Sequence, residues 1–367
     1  MAGALDGVRV VEFAGFGPTA NAAMMLGDMG ADVVRIEHPG SGLVSMGVEP
    51  DPVLRNRRAV SVDLKSGHGI ASVRALIVGA DVVVEGLGPG FAESLGVGPA
   101  DCAALDPRVI YARLSGWGHG DTRSNRAGSA INVLSVTGAL FGPGQRGDRS
   151  VPTYDPRADL SAASMLLVTG IVAALFERER SGLGQVVETS LADSATNSLQ
   201  AMSSPTIQPG RESVRSGVGC SADAPFHGIY KCQDGHYVAV GAVKPRFYAE
   251  LLVGLGLDEQ VLPPQMDRSG WPTLRNRFSS MFASRSREYW AKTFAETDAC
   301  VTPVLSMQEA TDSFVCGENS SPLTTVDGLV QSAPSPRFSR TVSSFRASQQ
   351  SELHDIYAIG QEWSEVR

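Results

Sequence analysis

The chain has 367 residues, 43% of them hydrophobic and 19% charged, enough apolar content for a large core and more than one domain. Its formal net charge of -8 disfavours a nucleic-acid groove, which needs clustered lysine and arginine. Five scattered cysteines (Cys102, Cys220, Cys232, Cys300 and Cys316) form no CxxC pair, so neither a disulfide framework nor a zinc site is expected.

Residues 8–13 read as a buried strand, 19–29 as a helix and 32–37 as a second strand, one βαβ unit. The chain enters this unit without the charged, apolar and cleavage-site order of a leader. No segment supplies roughly 20 unbroken apolar residues, so a soluble cytoplasmic protein with no membrane partner is the expectation. The turn Gly15-Phe16-Gly17-Pro18-Thr19-Ala20 fits the G-x-G-x-x-A dinucleotide fingerprint, with Glu37 where a ribose-binding acid would stand. Pro18 argues against that reading, because it removes one of the N–H donors a pyrophosphate would use.

Next comes a basic knot, Arg55, Arg57, Arg58 and Lys65, suited to one small phosphorylated ligand. Strands are predicted at 59–63, 81–85 and 109–113, with a helix at 70–79. Alternating strands and helices imply an α/β fold: a doubly wound, mostly parallel, Rossmann-like sheet in a large domain. Two polar or glycine-rich loops, 118–126 and 142–149, follow. His119, on the first of them, reads as a solvated loop residue, and His68 and His236 as surface residues.

Asp159 stands at the mouth of a long apolar run, 160–176, rich in small residues, which predicts a buried central helix. A carboxylate there is an N-cap on the plain reading and a reactive group on the other. Periodicity weakens after Asp193, and 203–223 is rich in Ser, Gly and Pro, an interdomain connection. A hairpin is predicted from 225–230 and 236–243 around Asp234-Gly235, helices at 246–255 and 286–295, and a strand at 298–304. From Ser332 the tail reads as an extended arm with a last turn near 355–363. The domain expectation is a large domain of 1–200 with 325–367 returning to it, and a smaller α+β domain of 201–324.

Taken together, residues 26–37, Asn56-Arg57-Arg58 with Asp63-Leu64-Lys65-Ser66, residues 81–86, residues 111–118 and residues 170–185 resemble the family III CoA-transferases, and within them the α-methylacyl-CoA racemases. The resemblance spans nearly the whole chain and implies two chains interlocked as a homodimer. It puts the family's central carboxylate at Asp159. In the transferases that group carries an acyl anhydride and then a CoA thioester. In the racemases it is one of two acid/base groups flanking the α-carbon of a 2-methylacyl thioester.

Several positions depart from the racemase pattern. The family's His-Asp after Gly128 is Ser129-Ala130 here, and its small-domain Glu is Lys244. An Asn before the central carboxylate is Asp155, close in sequence to Arg157. Two phosphate-contacting arginines are His38 and Gly88, leaving the basic knot to compensate. His227 replaces a Tyr, with a structural hairpin role as the plain alternative. The resemblance with these departures implies an enzyme that isomerises, epimerises or cyclises an acyl substrate, with CoA at most a part of that substrate and neither metal nor separate cofactor. Asp159 is its centre, His227 a second proton-transfer group, Lys244 a partner for developing charge, and Ser129 a hydrogen-bond donor to the carbonyl. The alternatives are an acyl-CoA:carboxylate CoA-transferase, a 2-methylacyl-CoA racemase, and a non-catalytic acyl-binding descendant.

Overall fold

The computed structural model of the chain describes residues 3–15, 17–39, 51–126, 129–139, 156–203, 224–315, 321–326, 328–343 and 353–365, with the backbone course alone for 156–160, 199–203 and 314–315. The predicted loop 142–149 and most of the connection 203–223 lie outside the described residues. Two compact units emerge: one comprises Met1–Leu140, Tyr154–Leu199 and Asn319–Arg367, and the other contains Gln200–Glu318.

Six strands form the sheet of the first unit: β1 (Arg9–Phe13), β2 (Asp32–Glu37), β3 (Arg57–Ser61), β4 (Val82–Glu85), β5 (Ile110–Ser115) and β6 (Val186–Ser190). Every pairing is parallel and the order is β3-β2-β1-β4-β5-β6. A parallel sheet is covered on both faces, and β1, β2 and β4 accordingly carry buried runs of Val and Ile, most fully in β4, VVVE. Val10, Val82, Val84, Ile110 and Ala112 face one cluster, which includes residues of helices α1 (Pro18–Asp28) and α6 (Pro156–Ser181). Val11, Phe13, Val83 and Tyr111 face the other, with residues of α2 (Gly67–Val78), α4 (Pro99–Leu105) and the C-terminal α12 (Ile356–Glu365). Short helices α3 (Phe91–Ser94) and α5 (Ala130–Val136), and α7 (Leu191–Ser203), occupy the connections.

Helix α6 runs antiparallel to the strands, and three contacts fix its direction. Near its start the Ser164 hydroxyl donates to the Pro18 carbonyl at 2.9 Å, at the carboxyl edge of the sheet. At mid-helix Gly170 lies against β6, where a Cβ would stand 2.5 Å from Val187 Cγ1. Near its end Arg178 reaches Asp81 Oδ1 at 2.9 Å, beside the first residue of β4 at the opposite edge.

This helix differs from expectation in two ways. It begins at Pro156, so Asp159 lies inside the first turn instead of capping it. It is also buried on one face only: Ala163, Ser164, Leu167 and Ile171 are fully buried, whereas Met165, Val172 and Phe176 are exposed. Its Ser161–Ser181 stretch is long and apolar enough to cross a membrane by length and composition, contrary to the expectation that no segment would qualify. The buried face packs on the sheet and α1, which makes it the core helix of this unit.

The tail is more ordered than an extended arm. A hairpin of β10 (Leu323–Val326) and β11 (Leu329–Ser332) precedes it, a parallel bridge joins Leu353 to Ala59, and α12 packs on α2. Trp363 is buried there and its indole N–H donates to Asp32 Oδ2 at 2.8 Å.

In the second unit β7 (His227–Lys231), β8 (Tyr237–Gly241) and β9 (Val301–Pro303) make an antiparallel sheet, containing the predicted hairpin. Helices α8 (Pro245–Leu255), α9 (Trp271–Phe282), α10 (Arg287–Phe294) and α11 (Met307–Val315) complete it. An aromatic core of Phe226, Tyr230, Tyr248, Phe278, Phe282 and Trp290 covers the inner sheet face.

Candidate active site

Strands β1 and β4 are neighbours, yet the chain leaves them in opposite directions, towards β2 and β3 on one side and β5 and β6 on the other. Their diverging loops open a crevice at the carboxyl edge, the usual ligand position in a doubly wound sheet. Two glycines keep its base narrow. A Cβ on Gly15 would stand 3.1 Å from Thr19 Oγ1, and one on Gly86 would stand 3.0 Å from Thr19 Cγ2. On the β4 side the Glu85 carboxylate accepts the Leu87 N–H at 2.7 Å. Burial raises the Glu85 carboxyl above its ordinary range; the Leu87 N–H opposes this without cancelling it.

Asp159 is the fourth residue of α6, and Ser164, which touches Pro18, is the ninth. Five residues of helix rise about 7.5 Å, so the backbone at Asp159 lies one and a half turns further out than the α1 start, at the sheet's carboxyl edge. The first turn of a helix favours an anion through its unpaired amides. Arg157 shares that turn, and Asp155 lies outside the described residues.

Ser129, expected to contact a substrate carbonyl, takes the N-cap position of α5. Its hydroxyl donates to Asn132 Oδ1 at 2.8 Å, and its N–H to the same oxygen at 3.0 Å. The side chain is exposed, and its donor is occupied by the cap.

The basic knot requires a correction. Arg55 is buried and holds the Asp28 carboxylate with Nε at 2.8 Å and Nη2 at 2.6 Å, while Nη1 donates to Gln331 Oε1 and the Ser332 carbonyl, each at 3.0 Å. Arg57 meets the buried Glu12 at 2.5 Å and donates to the Val53 and Ala20 carbonyls. Burial lowers the Arg57 pKa despite Glu12. Arg58 bridges Asp32 and Glu362. These three guanidiniums hold the fold's own carboxylates, which is why they cluster in sequence. Lys65 and His38 remain exposed; the His38 ring meets the Pro39 carbonyl at 2.8 Å and lies 3.9 Å from Asp63. Glu37, the acid of the dinucleotide fingerprint, is buried and accepts Arg35 Nε at 3.0 Å, so it is turned from any ribose.

His119 was expected in solvent but is mostly covered. Its backbone N–H and ring Nδ1 lie 2.8 and 3.0 Å from Glu188 Oε1, while Arg113 holds Oε2 at 2.8 Å. Burial pushes the Glu188 carboxyl up, but these donors outweigh it and hold it below its ordinary range. The sequence carried no sign of this pair, whose members are far apart along the chain.

In the second unit His227 begins β7 opposite Gly241, the last residue of β8, and Lys244 follows three residues later at the N-cap of α8. One edge of the small sheet therefore carries both, each exposed, with the Lys244 ammonium 5.7 Å from the Phe247 ring centroid. Cys300, which sequence reasoning passed over, adjoins them: the Gly241 N–H donates to its carbonyl at 2.8 Å, and its backbone is left-handed at φ 53°.

Comparison with known proteins fits this geometry. The chain is 38% identical over 342 residues to the alpha-methylacyl-CoA racemase of Mus musculus, spanning 92% of this chain and 87% of the relative. It is 35% identical over 333 residues to the Homo sapiens protein of the same name, spanning 91% and 86%. Among solved structures, a CAIB/BAIF family protein from Brucella suis superposes with a TM-score of 0.81 at 21% identity, covering 99% of this chain and all of the other, a likeness of fold. The family description "CoA-transferase family III" matches residues 5–351, and the chain belongs to that family of enzymes, among relatives named as racemases.

Proposed function

We propose that this protein moves a proton at the carbon beside the carbonyl of an acyl substrate, isomerising or epimerising it, with the Asp159 carboxylate as the acid/base group. One observation carries the reading: α6 runs against the strands, so the turn bearing Asp159 lies at the carboxyl edge that the sheet topology marks for ligands. Removing such a proton leaves an enolate, so the site must supply charge stabilisation as well as a base. On this reading Lys244 balances the enolate and His227 is the second proton-transfer group, replacing the racemase pair absent at Ser129 and Lys244. Ser129 is a weaker candidate for the carbonyl, because its donor is held by Asn132.

The same reading takes CoA as dispensable. Two family arginines are His38 and Gly88, and the arginines expected to compensate are paired with Asp28, Glu12 and Asp32. Each lost charge-assisted contact is worth about 1.5–3 kcal/mol, so the nucleotide adds little affinity. Calorimetry with a 2-methylacyl-pantetheine and its CoA ester tests this: similar affinities are expected, and a CoA ester bound a hundred-fold tighter sinks the CoA-free form.

The chemistry is tested by deuterium exchange from heavy water into the α-carbon of the same thioesters. Wild type should exchange and Asp159→Ala should lose about 10²–10⁴ of the rate. Absence of exchange in wild type removes the proposal.

A second reading is favoured by the capping role of Ser129, whose hydroxyl is committed to Asn132 and so is not offered to an acyl carbonyl. A lone carboxylate suffices for CoA transfer. It attacks the thioester carbonyl and expels CoA thiolate, giving a mixed anhydride; the thiolate then attacks the Asp159 acyl carbon, releasing the carboxylic acid and leaving an aspartyl-CoA thioester. Mass spectrometry of protein incubated with acyl-CoA would reveal CoA on Asp159 if transfer occurs.

A further inference from the structure

Thr19 stands at the base of the crevice between β1 and β4, and its hydroxyl oxygen is buried without a hydrogen-bond partner. Among the described residues three other buried side-chain atoms share that condition, on Tyr111, Arg178 and Tyr248, but none belongs to a loop at the carboxyl edge. A buried unsatisfied hydroxyl is a standing loss of stability, and such groups call for a reason.

Its surroundings supply one. Thr19 is the second residue of α1, whose first residue, Pro18, has no N–H. Among the described residues the first helical hydrogen bond runs from Asn21 N–H to the Gly17 carbonyl at 3.3 Å, and the Thr19 and Ala20 amides precede it. Gly17 brings no side-chain cap. The helix start thus offers two amides and, beside them, an unpartnered hydroxyl. Gly15 and Gly86 lie against the hydroxyl, where a Cβ would stand 3.1 and 3.2 Å from Thr19 Oγ1, so no side chain from either residue intrudes on it. Ser164 on α6 is bonded to Pro18, which puts this point close to the turn that carries Asp159.

We infer that Thr19, with the first amides of α1, forms a binding site for a single acceptor oxygen, the carbonyl oxygen of an acyl thioester. A neutral donor set beside the Asp159 turn suits one polarised oxygen better than a phosphate dianion, since the neighbouring Arg57 is already paired with Glu12. The assignment of the oxygen to an acyl group rests on the proposed acyl chemistry; the unpartnered hydroxyl does not.

Thr19→Val and Thr19→Ser separate the possibilities, with propionyl-pantetheine and 3′,5′-ADP as probes. Valine keeps the shape and removes the hydroxyl. The ligand-free variant should therefore melt about 2 °C higher than wild type, because an unsatisfied donor is gone. Its affinity for propionyl-pantetheine should fall about ten-fold, the loss of one hydrogen bond, while serine restores it. Affinity for 3′,5′-ADP should not change. A Val variant that melts lower shows a hydroxyl already satisfied in the free protein and overturns the inference. So does unchanged propionyl-pantetheine binding in a Val variant when wild type binds that ligand. A loss confined to 3′,5′-ADP overturns the acyl assignment. Failure of wild type to bind any acyl thioester overturns the proposed function, and the acyl assignment with it, whatever the melting data show.

Discussion

Arg55 and Asp28 are each almost fully buried and bind one another through two parallel N–H···O bonds, with Asn56 adding a third donor to Asp28 at 2.7 Å. Removing one member of such a pair leaves the other charge without water or partner, whereas removing both leaves a shape to refill. Arg55→Ala should therefore lose about 3–5 kcal/mol in urea denaturation, and Arg55→Met with Asp28→Leu should lose less than either single change. Glu85 gives the pH counterpart. Its folded pKa lies above the ordinary carboxylate value, so the ionised group destabilises the fold above that raised value. Stability is regained as pH falls through the raised value towards 4.5, the unshifted carboxyl, where the unfolded chain also protonates. Glu85→Gln should be more stable than wild type at neutral pH, with the difference disappearing in mild acid; equal stability at both pH values would sink the assignment. None of these pairings was legible in sequence. The arginine triplet looked like a ligand knot because composition records charge, while the partners Glu12, Asp28 and Asp32 come from other elements.

The legibility of the elements followed their burial. Strands β1, β2 and β4 and the start of β5 could be read because both faces are covered and each holds a short run of Val, Ile or other apolar residues. Strand β6 was missed because it is an edge strand, VVETS, half exposed and half polar. Helix α12 was read only as a last turn near 355–363 behind a Ser- and Pro-rich tail, although Ile356, Ile359 and Trp363 recur at helical spacing and Asp355 accepts the Tyr357 N–H at 2.9 Å. The existence of α6 was legible, though it runs from Pro156 to Ser181, beyond the predicted 160–176 at both ends; its direction was not legible, because direction is set by contacts such as Gly170 against Val187. Alanine at Gly170 would gain about 1 kcal/mol of helix propensity, but its Cβ would meet the stiff Val187 side chain at 2.5 Å. Overpacking costs about 1–3 kcal/mol, so Gly170→Ala should be a net loss of about 1 kcal/mol, recovered when Val187→Ala is added. Chemical denaturation of the two single variants and the double variant decides it.

At the scale of the molecule, α6 and the β6 edge leave Met165, Val172, Phe176, Leu183 and Val186 exposed. Apolar surface of that extent on core elements argues for a covering partner, and the interlocked homodimer implied by the family resemblance supplies a second copy of this chain. Light scattering should give twice the mass of one chain, and Val172→Glu should shift the population to monomer; a monomeric wild type would overturn this. The fold and family were legible because many weak motifs agree along the whole chain. Of the proposed site residues, Asp159 alone stands where the chain keeps the family pattern; Ser129, His227 and Lys244 stand where it departs from that pattern, so their roles could not be read from sequence.

The tail carries one more consequence. Trp363 and Arg9 interact through a guanidinium 5.8 Å from the indole ring centroid, and Leu353 bridges to Ala59, so a later-made segment closes on an earlier-made sheet. Between them the ribosome must produce all of the second unit, Gln200–Glu318. During synthesis, then, the second unit is complete while the sheet still lacks α12 and the apolar face of α2 that it covers is open to water. Until residue 363 emerges that apolar face stays open to proteases and aggregation, and chaperone demand should follow the rate at which the segment between Glu318 and Trp363 is translated.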